Sequence, residues 1–192
     1  MPGACVDAVD AMTRPSYPFR LAPAARLAAC LAVLFGLALA GLPPQSARAE
    51  TGPSGLPLPR FVSLRADEVN LRTGPGVRYP IEWVYVRKDL PVQIVSEFEA
   101  WRQVRDVEGT TGWVHRSMLS GKRTAAINGD VDRMYRKPSH SAPVAAFVEA
   151  GIVGELQECE GAWCRITVAG HGVTGWIERR GLWGVLPGEA ID

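Results

Sequence analysis

The chain contains two copies of one sequence pattern, which follow each other directly. Residues 69–119 align with residues 132–182, and the shared positions hold prolines, tryptophans, a Gly-Trp pair and a leucine. One constant offset relates four pairs: Pro75 and Pro138, Pro80 and Pro143, Gly112-Trp113 and Gly175-Trp176, and Leu119 and Leu182. An offset that is shorter by one position relates Trp101 to Trp163 and Val104 to Ile166. The duplication restricts the fold to two similar small domains, because each copy must bury a core of its own.

Short runs of alternating apolar residues fill both copies. Val92-Gln93-Ile94 is one such run, and Gly, Pro or acidic turns separate it from the next. This spacing is typical of β-strands, and no stretch after Phe61 keeps a helical period over three turns. The Gly residues in EGTTGW and GHGVTGW are suited to turns that need positive φ. The sequence therefore predicts an all-β fold of two tandem five-stranded barrels, whose closure removes sheet edges.

An apolar segment near the N-terminus has the form of a secretory signal. Residues 27–42 are sixteen apolar or small residues that follow Arg20 and Arg26, and Ala47-Arg48-Ala49 comes shortly after them. Sixteen residues are fewer than the roughly 20 that cross a bilayer, which argues against a one-helix anchor. We expect cleavage before Glu50 and no stable membrane anchor afterwards, with Met12 as an alternative start of translation.

These patterns predict a domain organisation of five parts. Residues 1–49 form the signal peptide, residues 50–60 a flexible leader rich in Gly and Pro, residues 61–123 the first barrel, residues 124–131 a linker and residues 132–187 the second barrel.

Charge and length exclude two classes of protein. Lys and Arg number 21 against 20 Asp and Glu, so the formal net charge is +1, and no basic block stands out. We therefore expect no nucleic-acid partner. The part after residue 49 is too short for a large two-lobed enzyme.

Catalytic and metal-binding patterns are weak. The chain has three histidines, each in a predicted loop or strand end: His115, His140 and His171. Glu97 and Glu99 fall in a predicted hairpin turn, where carboxylates are ordinarily solvated. Asp130 and Asp132 lack the later ligands of a calcium loop. We expect a noncatalytic protein with no metal and no cofactor.

The two cysteines after Glu50 are predicted to form a disulfide. Cys159 and Cys164 lie on either side of Glu160-Gly161-Ala162-Trp163, a predicted tight turn. Both cysteine side chains are therefore expected near each other at the end of a hairpin. Outside the cytoplasm such a pair is expected to oxidise. The alternative, a catalytic or metal-binding pair, lacks a nearby histidine and a second ligand pair.

The order of motifs in the first copy resembles the bacterial Src homology 3 (SH3) domain. Asn70 to Gly76 reads NLRTGPG, Pro80-Ile81 follows, a hairpin ends in Trp101-x-x-Val104, and Gly112-Trp113-Val114 comes last. The resemblance covers residues 65–122. It implies a small β-barrel without catalytic activity that binds cell-wall peptides, polysaccharide or partner proteins.

The second copy keeps part of the family pattern. Residues 130–186 retain Trp163-x-x-Ile166 and Gly175-Trp176-Ile177 but have RMYRKPS in place of NLRTGPG. A signal segment followed by two such repeats resembles secreted SH3-like proteins of proteobacteria, which implies a periplasmic or secreted location in a bacterium.

A group of aromatic residues occurs in the first copy alone. Tyr79, Trp83 and Tyr85 have smaller counterparts in the second copy, namely Ala142, Ala146 and Val148. Packed interiors tolerate changes of size poorly, so the group can be exposed, can lie between the barrels or can belong to the first core. If exposed, these rings offer stacking surface and Arg72 offers a charged hydrogen bond to a carboxylate.

Two functions remain after these exclusions. The first is an extracytoplasmic binding module for a cell-wall peptide, a glycan or a periplasmic protein, with Arg72, Tyr79, Trp83 and Tyr85 as ligand-binding residues. The alternative is a structural or accessory protein whose barrels pack on each other without an independent ligand.

Overall fold

The computed structural model of the chain describes residues 50–129, 132–168 and 170–191. The predicted signal peptide and Asp130 lie outside the described residues. Among the described residues, no helix has the length and apolar character that a membrane-crossing segment needs.

The first half of the described chain forms a small hairpin and a seven-stranded sheet. The hairpin consists of β1 (Glu50–Thr51) and β2 (Pro57–Leu58). The sheet consists of β3 (Arg60–Leu64), β4 (Val69–Arg72), β5 (Ile81–Tyr85), β6 (Pro91–Phe98), β7 (Trp101–Arg105), β8 (Thr111–His115) and β9 (Leu119–Ser120), with a 3-10 turn at Arg116–Met118. Its strand order is β5-β4-β8-β7-β6-β3-β9, and neighbouring strands are antiparallel.

The second half repeats this topology. The strands are β10 (Thr124–Ile127), β11 (Asp132–Tyr135), β12 (Val144–Val148), β13 (Val153–Glu160), β14 (Trp163–Val168), β15 (Thr174–Glu178) and β16 (Leu182–Trp183), with a 3-10 turn at Arg179–Gly181. The order β12-β11-β15-β14-β13-β10-β16 matches the first sheet strand for strand. The all-β prediction of two tandem domains is confirmed. Each sheet has seven strands instead of five, and one of the two additional strands in each sheet, β9 or β16, is only two residues long and too short to show alternation.

Each sheet surrounds a core of its own. The first core includes Leu64, Leu71, Ile94, Val104 and Val114, and the second includes Ile127, Met134, Leu156, Ile166 and Ile177. Tyr85 lies on β5 and Leu119 on β9, which are the first and last strands in the order of this sheet. Both residues nevertheless belong to the first core. The sheet therefore curls back on itself as a small barrel.

The repeated Gly-Trp pair marks a close approach between strands. A Cβ on Gly112 would lie 2.5 Å from Leu71 Cγ, and a Cβ on Gly175 would lie 3.0 Å from Met134 Cβ. Neither glycine has positive φ, whereas Gly109 in the preceding turn does (φ 90°). The predicted turn glycine is thus Gly109, and glycine is needed at the Gly-Trp pair for space.

The segment predicted as a flexible leader is a hairpin held on the first barrel. The backbone N–H of Ser54 donates to Glu97 Oε2, and its hydroxyl donates to Glu97 Oε1, both at 2.8 Å. Two further groups reach the same carboxylate: Arg60 Nη2 at 2.6 Å and Arg102 Nε at 3.1 Å. The prediction for residues 50–60 is therefore wrong, because it lacked this partner, which is distant in sequence.

The predicted linker contains a strand of the second barrel. Thr124–Ile127 forms β10, which pairs with β13 and with β16 and is buried along its whole length. The second unit therefore begins at Thr124, within a predicted linker of residues 124–131. The first sheet likewise begins at Arg60, just before the predicted start.

Polar groups join the two barrels where β3 meets the start of β10. The Ser63 hydroxyl donates to the Lys122 carbonyl at 2.6 Å and lies 2.7 Å from Thr124 Oγ1. Thr124 Oγ1 in turn donates to the carbonyl of Asp89 at 2.8 Å. Ser63 and Thr124 are both buried, so these hydrogen bonds satisfy polar groups inside the contact.

An aromatic pair adds to the contact between the barrels. The rings of Phe61 and Trp183 meet edge to face with centroids 5.0 Å apart, and Trp183 Nε1 donates to the Pro91 carbonyl at 3.2 Å. The barrels therefore pack on each other. Tyr79, Trp83 and Tyr85 take no part in these contacts.

Candidate functional site

The predicted aromatic group separates into buried and exposed members. Tyr85 lies in the first core, 6% exposed, and its hydroxyl donates to Asp106 Oδ2 at 2.9 Å. Burial, and then the hydrogen bond to Asp106, raise the pKa of the Tyr85 hydroxyl well above its ordinary value. Trp83, two residues earlier on the same strand, is 57% exposed. Tyr85 is therefore a core residue, and Trp83 is the one of the two that presents its ring to solvent.

Arg72 and Tyr79 organise the loop between β4 and β5. Arg72 Nη1 donates to the carbonyls of Val77 at 3.1 Å and Tyr79 at 2.7 Å. The Tyr79 ring covers Gly74, where a Cβ would come within 2.4 Å of Tyr79 Cδ1. The NLRTGPG turn is thus shaped by the packing of Tyr79, and Arg72 braces the same loop from β4.

A groove of about 350 Å³ lies on the outer face of the first barrel. Asn70 and Arg72 face it from β4, because they alternate with the buried Val69 and Leu71. The remaining wall comes from the neighbouring strands β7 and β8, the 3-10 turn, the β4–β5 loop and the residue before β4: Trp101, His115, Ser117, Met118, Val77 and Glu68. The strand order brings these residues together, since β4, β8 and β7 are adjacent.

The chemistry of this outer groove is mixed. Trp101 and His115 are opposite each other across β7 and β8, and their rings meet edge to face at 5.3 Å. His115 Nδ1 lies 2.7 Å from the Ser117 hydroxyl at the start of the 3-10 turn. Val77 and Met118 are exposed at the rim. An aromatic wall, an apolar rim and polar groups on the floor suit an extended polymer with stacking faces and hydrogen-bonding groups.

The second barrel covers the equivalent surface with its own side chains. Trp163 and Glu178 pair across β14 and β15 as Trp101 and His115 do in the first barrel. The His140 ring lies 4.8 Å from the Trp163 ring and 5.7 Å from that of Tyr135, and His140 Nε2 is 3.0 Å from Glu178 Oε1. In the first barrel the position of His140 is held by Val77, which is 79% exposed. The first barrel therefore has the more open groove.

Sequence reasoning missed Trp101 and His115 as groove residues. The sequence pattern places Trp101 at the end of a hairpin and predicts His115 to be a solvated residue of a loop or strand end. The available signal was the alternation along β7, because Val104 is buried and Trp101 lies on the opposite face with Gln103. That pattern alone assigns Trp101 to the outer surface.

The buried carboxylate of Glu97 corrects another prediction. Its side chain is 1% exposed instead of solvated at a hairpin tip. Burial by itself would raise its pKa, but the hydrogen bonds from Arg60 and Ser54 and the charge of Arg102 lower the pKa to about 2. The arrangement holds the N-terminal hairpin in place and leaves no carboxylate free for acid–base chemistry at this point.

The predicted disulfide is present. Cys159 and Cys164 face each other across β13 and β14 with an S–S distance of 2.07 Å. In the part of the chain that the structure describes, no three His, Cys, Asp or Glu side chains are grouped in a way that would hold a metal ion.

Comparison with known families matches both copies to one family. The family model described as bacterial SH3 domain matches residues 65–121 and 130–184. These ranges follow the two barrels and confirm the resemblance inferred from the motifs.

Individual relatives match over part of their length. The candidate N-acetylmuramoyl-L-alanine amidase YrvJ of Bacillus subtilis (strain 168) is 28% identical over 125 residues, which are 59% of this chain and 24% of that protein. Among solved structures, NlpC2 from Trichomonas vaginalis has a TM-score of 0.30 with 17% identity, covering 65% of this chain and 48% of that one. NlpC1 from the same organism has a TM-score of 0.31 with 17% identity, covering 74% and 51%. The chain thus spans about a quarter to a half of the proteins it matches.

Proposed function

The chain belongs to the bacterial SH3 domain family, and on that premise we propose that it acts outside the cytoplasm as a noncatalytic binding module. Its ligand is a peptide or glycan of the cell wall, or a periplasmic protein that presents a similar extended segment. The first barrel makes the contact, and the second barrel, cross-linked by its disulfide, supports it.

The outer groove of the first barrel carries this proposal. It presents Trp101 and His115 beside Asn70, and its apolar rim is exposed. A flat apolar face of a sugar ring or a peptide side chain can stack on Trp101, while Asn70 offers both a donor and an acceptor. The second barrel fills the same place with His140, so the open groove distinguishes the first barrel.

The similarity to YrvJ supports a ligand from the cell wall. The name of that protein describes an activity on N-acetylmuramoyl-L-alanine, in which a sugar is joined to an amino acid. A module that accompanies such chemistry is expected to recognise the same kind of polymer.

The disulfide supports a location outside the cytoplasm, since such bonds persist in oxidising compartments. The proposed export begins with cleavage after Ala49, so N-terminal sequencing of exported protein should read from Glu50. Full-length protein retained in the membrane fraction would contradict this part of the proposal.

The contact between the barrels favours a second function. Ser63, Thr124, Phe61 and Trp183 join the barrels into one unit, which an accessory protein that spaces two partners would also need. This function requires no ligand in the outer groove.

A cosedimentation experiment with purified peptidoglycan sacculi separates the two functions. We expect the exported protein to bind, and Trp101→Ala to weaken binding by about tenfold or more, as for a stacking anchor. Trp83→Ala is the matched control, because it removes an exposed tryptophan of the same barrel outside the groove. Incubation should release no soluble sugar-peptide fragments. Absence of binding by the unaltered protein would favour the accessory function, and equal binding by Trp101→Ala would exclude the groove.

A further inference from the structure

We propose that His115 is the specificity-determining residue of the outer groove, where its Nε2–H group and the guanidinium of Arg72 bind a carboxylate of the ligand. This inference rests on the proposed function and names the charged group that the groove selects.

The hydrogen bonds of His115 determine which of its ring nitrogens carries the proton. The backbone N–H of Ser117 donates to His115 Nδ1 at 3.3 Å, at the start of the 3-10 turn. A backbone N–H group can only donate, so Nδ1 directs its lone pair at Ser117, and the Ser117 hydroxyl at 2.7 Å donates to the same atom. In the neutral imidazole the proton therefore lies on Nε2.

The Nε2–H group is open to a ligand. No described residue accepts a hydrogen bond from Nε2, because the hydrogen bonds of this ring are those of Nδ1 with Ser117. His115 is half-buried and lines the outer groove. The floor of the groove thus presents a fixed hydrogen-bond donor beside the ring of Trp101.

Arg72 brings a positive charge to the same place. It pairs with Trp113 across β4 and β8, and His115 lies two residues beyond Trp113 on the same outward face. Such diagonal neighbours are about 7–8 Å apart, which a long side chain can span. Nη1 of Arg72 is held by the carbonyls of Val77 and Tyr79, whereas no described residue accepts from its Nη2 or Nε. One carboxylate can therefore accept from both side chains.

Glu68 determines where along the groove a carboxylate is favoured. It precedes β4 and lines the groove on the same side as Arg72, four residues away, which corresponds to roughly 13 Å of extended chain. Its negative charge repels a carboxylate at its own end. The groove therefore has an acidic end and a basic end, and the ligand carboxylate belongs at the end of Arg72 and His115.

The second barrel makes the same kind of contact within the chain. Glu178 holds the position of His115, and its carboxylate lies 3.0 Å from His140 Nε2 and forms an ion pair with Arg180. A carboxylate with a histidine and an arginine as partners thus occupies this surface. The first barrel has histidine at that position with Arg72 beside it, so the carboxylate is the component that remains for a ligand to supply.

Nuclear magnetic resonance tests the state of the ring without any ligand. Long-range correlation of ¹H and ¹⁵N in the exported protein at neutral pH should show that the proton of His115 lies on Nε2. A proton on Nδ1, donated to the Ser117 hydroxyl, would make Nε2 an acceptor and would overturn the proposal.

Cosedimentation with chemically modified peptidoglycan sacculi tests the contact. Conversion of the carboxylates to amides with carbodiimide and ammonia should weaken binding at least about tenfold, whereas acetylation of the amino groups should leave it unchanged. His115→Glu replaces the donor by a negative charge and should weaken binding to untreated sacculi by a similar factor. The second barrel already has glutamate at this position, so the fold should accept the change, which circular dichroism can verify. Arg72 is left unaltered because it braces the β4–β5 loop.

Two further variants complete the experiment. His115→Gln should recover most of the binding that His115→Glu loses, since an amide nitrogen can take the place of Nε2. His171→Glu is the matched control, because it makes the same change at an exposed loop residue outside the groove.

The outcomes separate this inference from the proposed function. Equal binding of the unaltered protein to untreated and amidated sacculi, or equal binding by His115→Glu, would overturn the carboxylate contact and leave the binding module standing. The contact would also be overturned if His171→Glu weakened binding as much as His115→Glu, because the effect would then follow net charge. Absence of binding to every preparation would overturn both the contact and the proposed function.

Discussion

Tyr85 donates a hydrogen bond of 2.9 Å to Asp106 inside the first barrel, and the second barrel has valine at both equivalent positions. In the alignment of the two copies, Val148 takes the position of Tyr85, and Val168 takes that of Asp106. A polar pair in one barrel thus corresponds to an apolar pair in the other, and neither barrel leaves one of the two groups buried without its partner.

The first prediction concerns the coupling of Tyr85 and Asp106. Tyr85→Phe should lower the free energy of unfolding by about 1–3 kcal/mol, because it leaves Asp106 Oδ2 without its donor. Asp106→Val should cost more, since Asp106 Oδ1 also accepts from the N–H groups of Glu108 and Thr110. Chemical denaturation should show that the double change Tyr85→Phe with Asp106→Val costs less than the sum of Tyr85→Phe alone and Asp106→Val alone. Strict additivity would contradict this coupling.

The second prediction is an acid-dependent loss of stability through Glu97. Its pKa is lowered from 4.5 to about 2, so its contribution is present above pH 4.5 and is lost as the pH falls towards 2. The loss should be on the order of 3 kcal/mol, from about 1.36 kcal/mol for each unit of pKa. Denaturation at several pH values in this range should show that the free energy of unfolding of Glu97→Gln changes less with pH than that of the unaltered protein.

Glu99→Gln serves as the control for this pH profile, because Glu99 is exposed in the same hairpin. Part of the dependence of the free energy of unfolding on pH should remain in Glu97→Gln. Although burial raises the pKa of Glu189, its hydrogen bonds with Arg123 lower it overall, so this carboxylate also loses favourable contacts in acid. Equal profiles for the unaltered protein and Glu97→Gln would contradict the role of Glu97.

The third prediction concerns the cooperativity of the two barrels. Trp183→Ala removes the edge-to-face contact with Phe61 and the hydrogen bond to the Pro91 carbonyl. We expect a loss of about 3 kcal/mol, the lower end of the range for a buried tryptophan, because Trp183 is half-buried, and calorimetry should then resolve two transitions. Trp83→Ala should keep the cooperativity of the unaltered protein. A single unshifted transition in Trp183→Ala would show that other contacts suffice.

The fourth prediction concerns the disulfide of the second barrel. Thiol counting under denaturing conditions should find no free cysteine in exported protein, because Cys159 and Cys164 are bonded. Reduction should lower the free energy of unfolding by about 2 kcal/mol, a modest value that reflects the short closed loop. A variant with serine at both positions should be insensitive to reductant. Two free thiols in exported protein would contradict the bond.

The features that were predictable from the sequence depend on neighbours in the chain. Alternation within a strand revealed the all-β fold, because burial on one face of a strand acts on every second residue. The disulfide followed from two cysteines at the ends of one short hairpin. The repeat was visible because two copies of one barrel need glycine at the same close approach, as at Gly112 and Gly175.

The features that were not predictable depend on partners distant in the chain. The segment 50–60 has a composition typical of a flexible leader, but Ser54 finds the carboxylate of Glu97 and the segment folds as a hairpin. Thr124–Ile127 was assigned to a linker, although β13 and β16 pair with it on both sides. Composition carries no information about such partners, because they are set by the topology of the sheet.

The contrast between Trp83 and Tyr85 shows what the sequence determined and what the tertiary structure decided. Alternation determined that the two residues share one face of β5. Only the tertiary structure decided that Tyr85 is covered and meets Asp106, while Trp83 remains exposed. The outer groove likewise exists because β4, β8 and β7 are adjacent, which brings Asn70 beside Trp101 although the two are far apart in sequence. A strand's own residues determine which way each side chain points, whereas the neighbouring strands determine what that side chain meets.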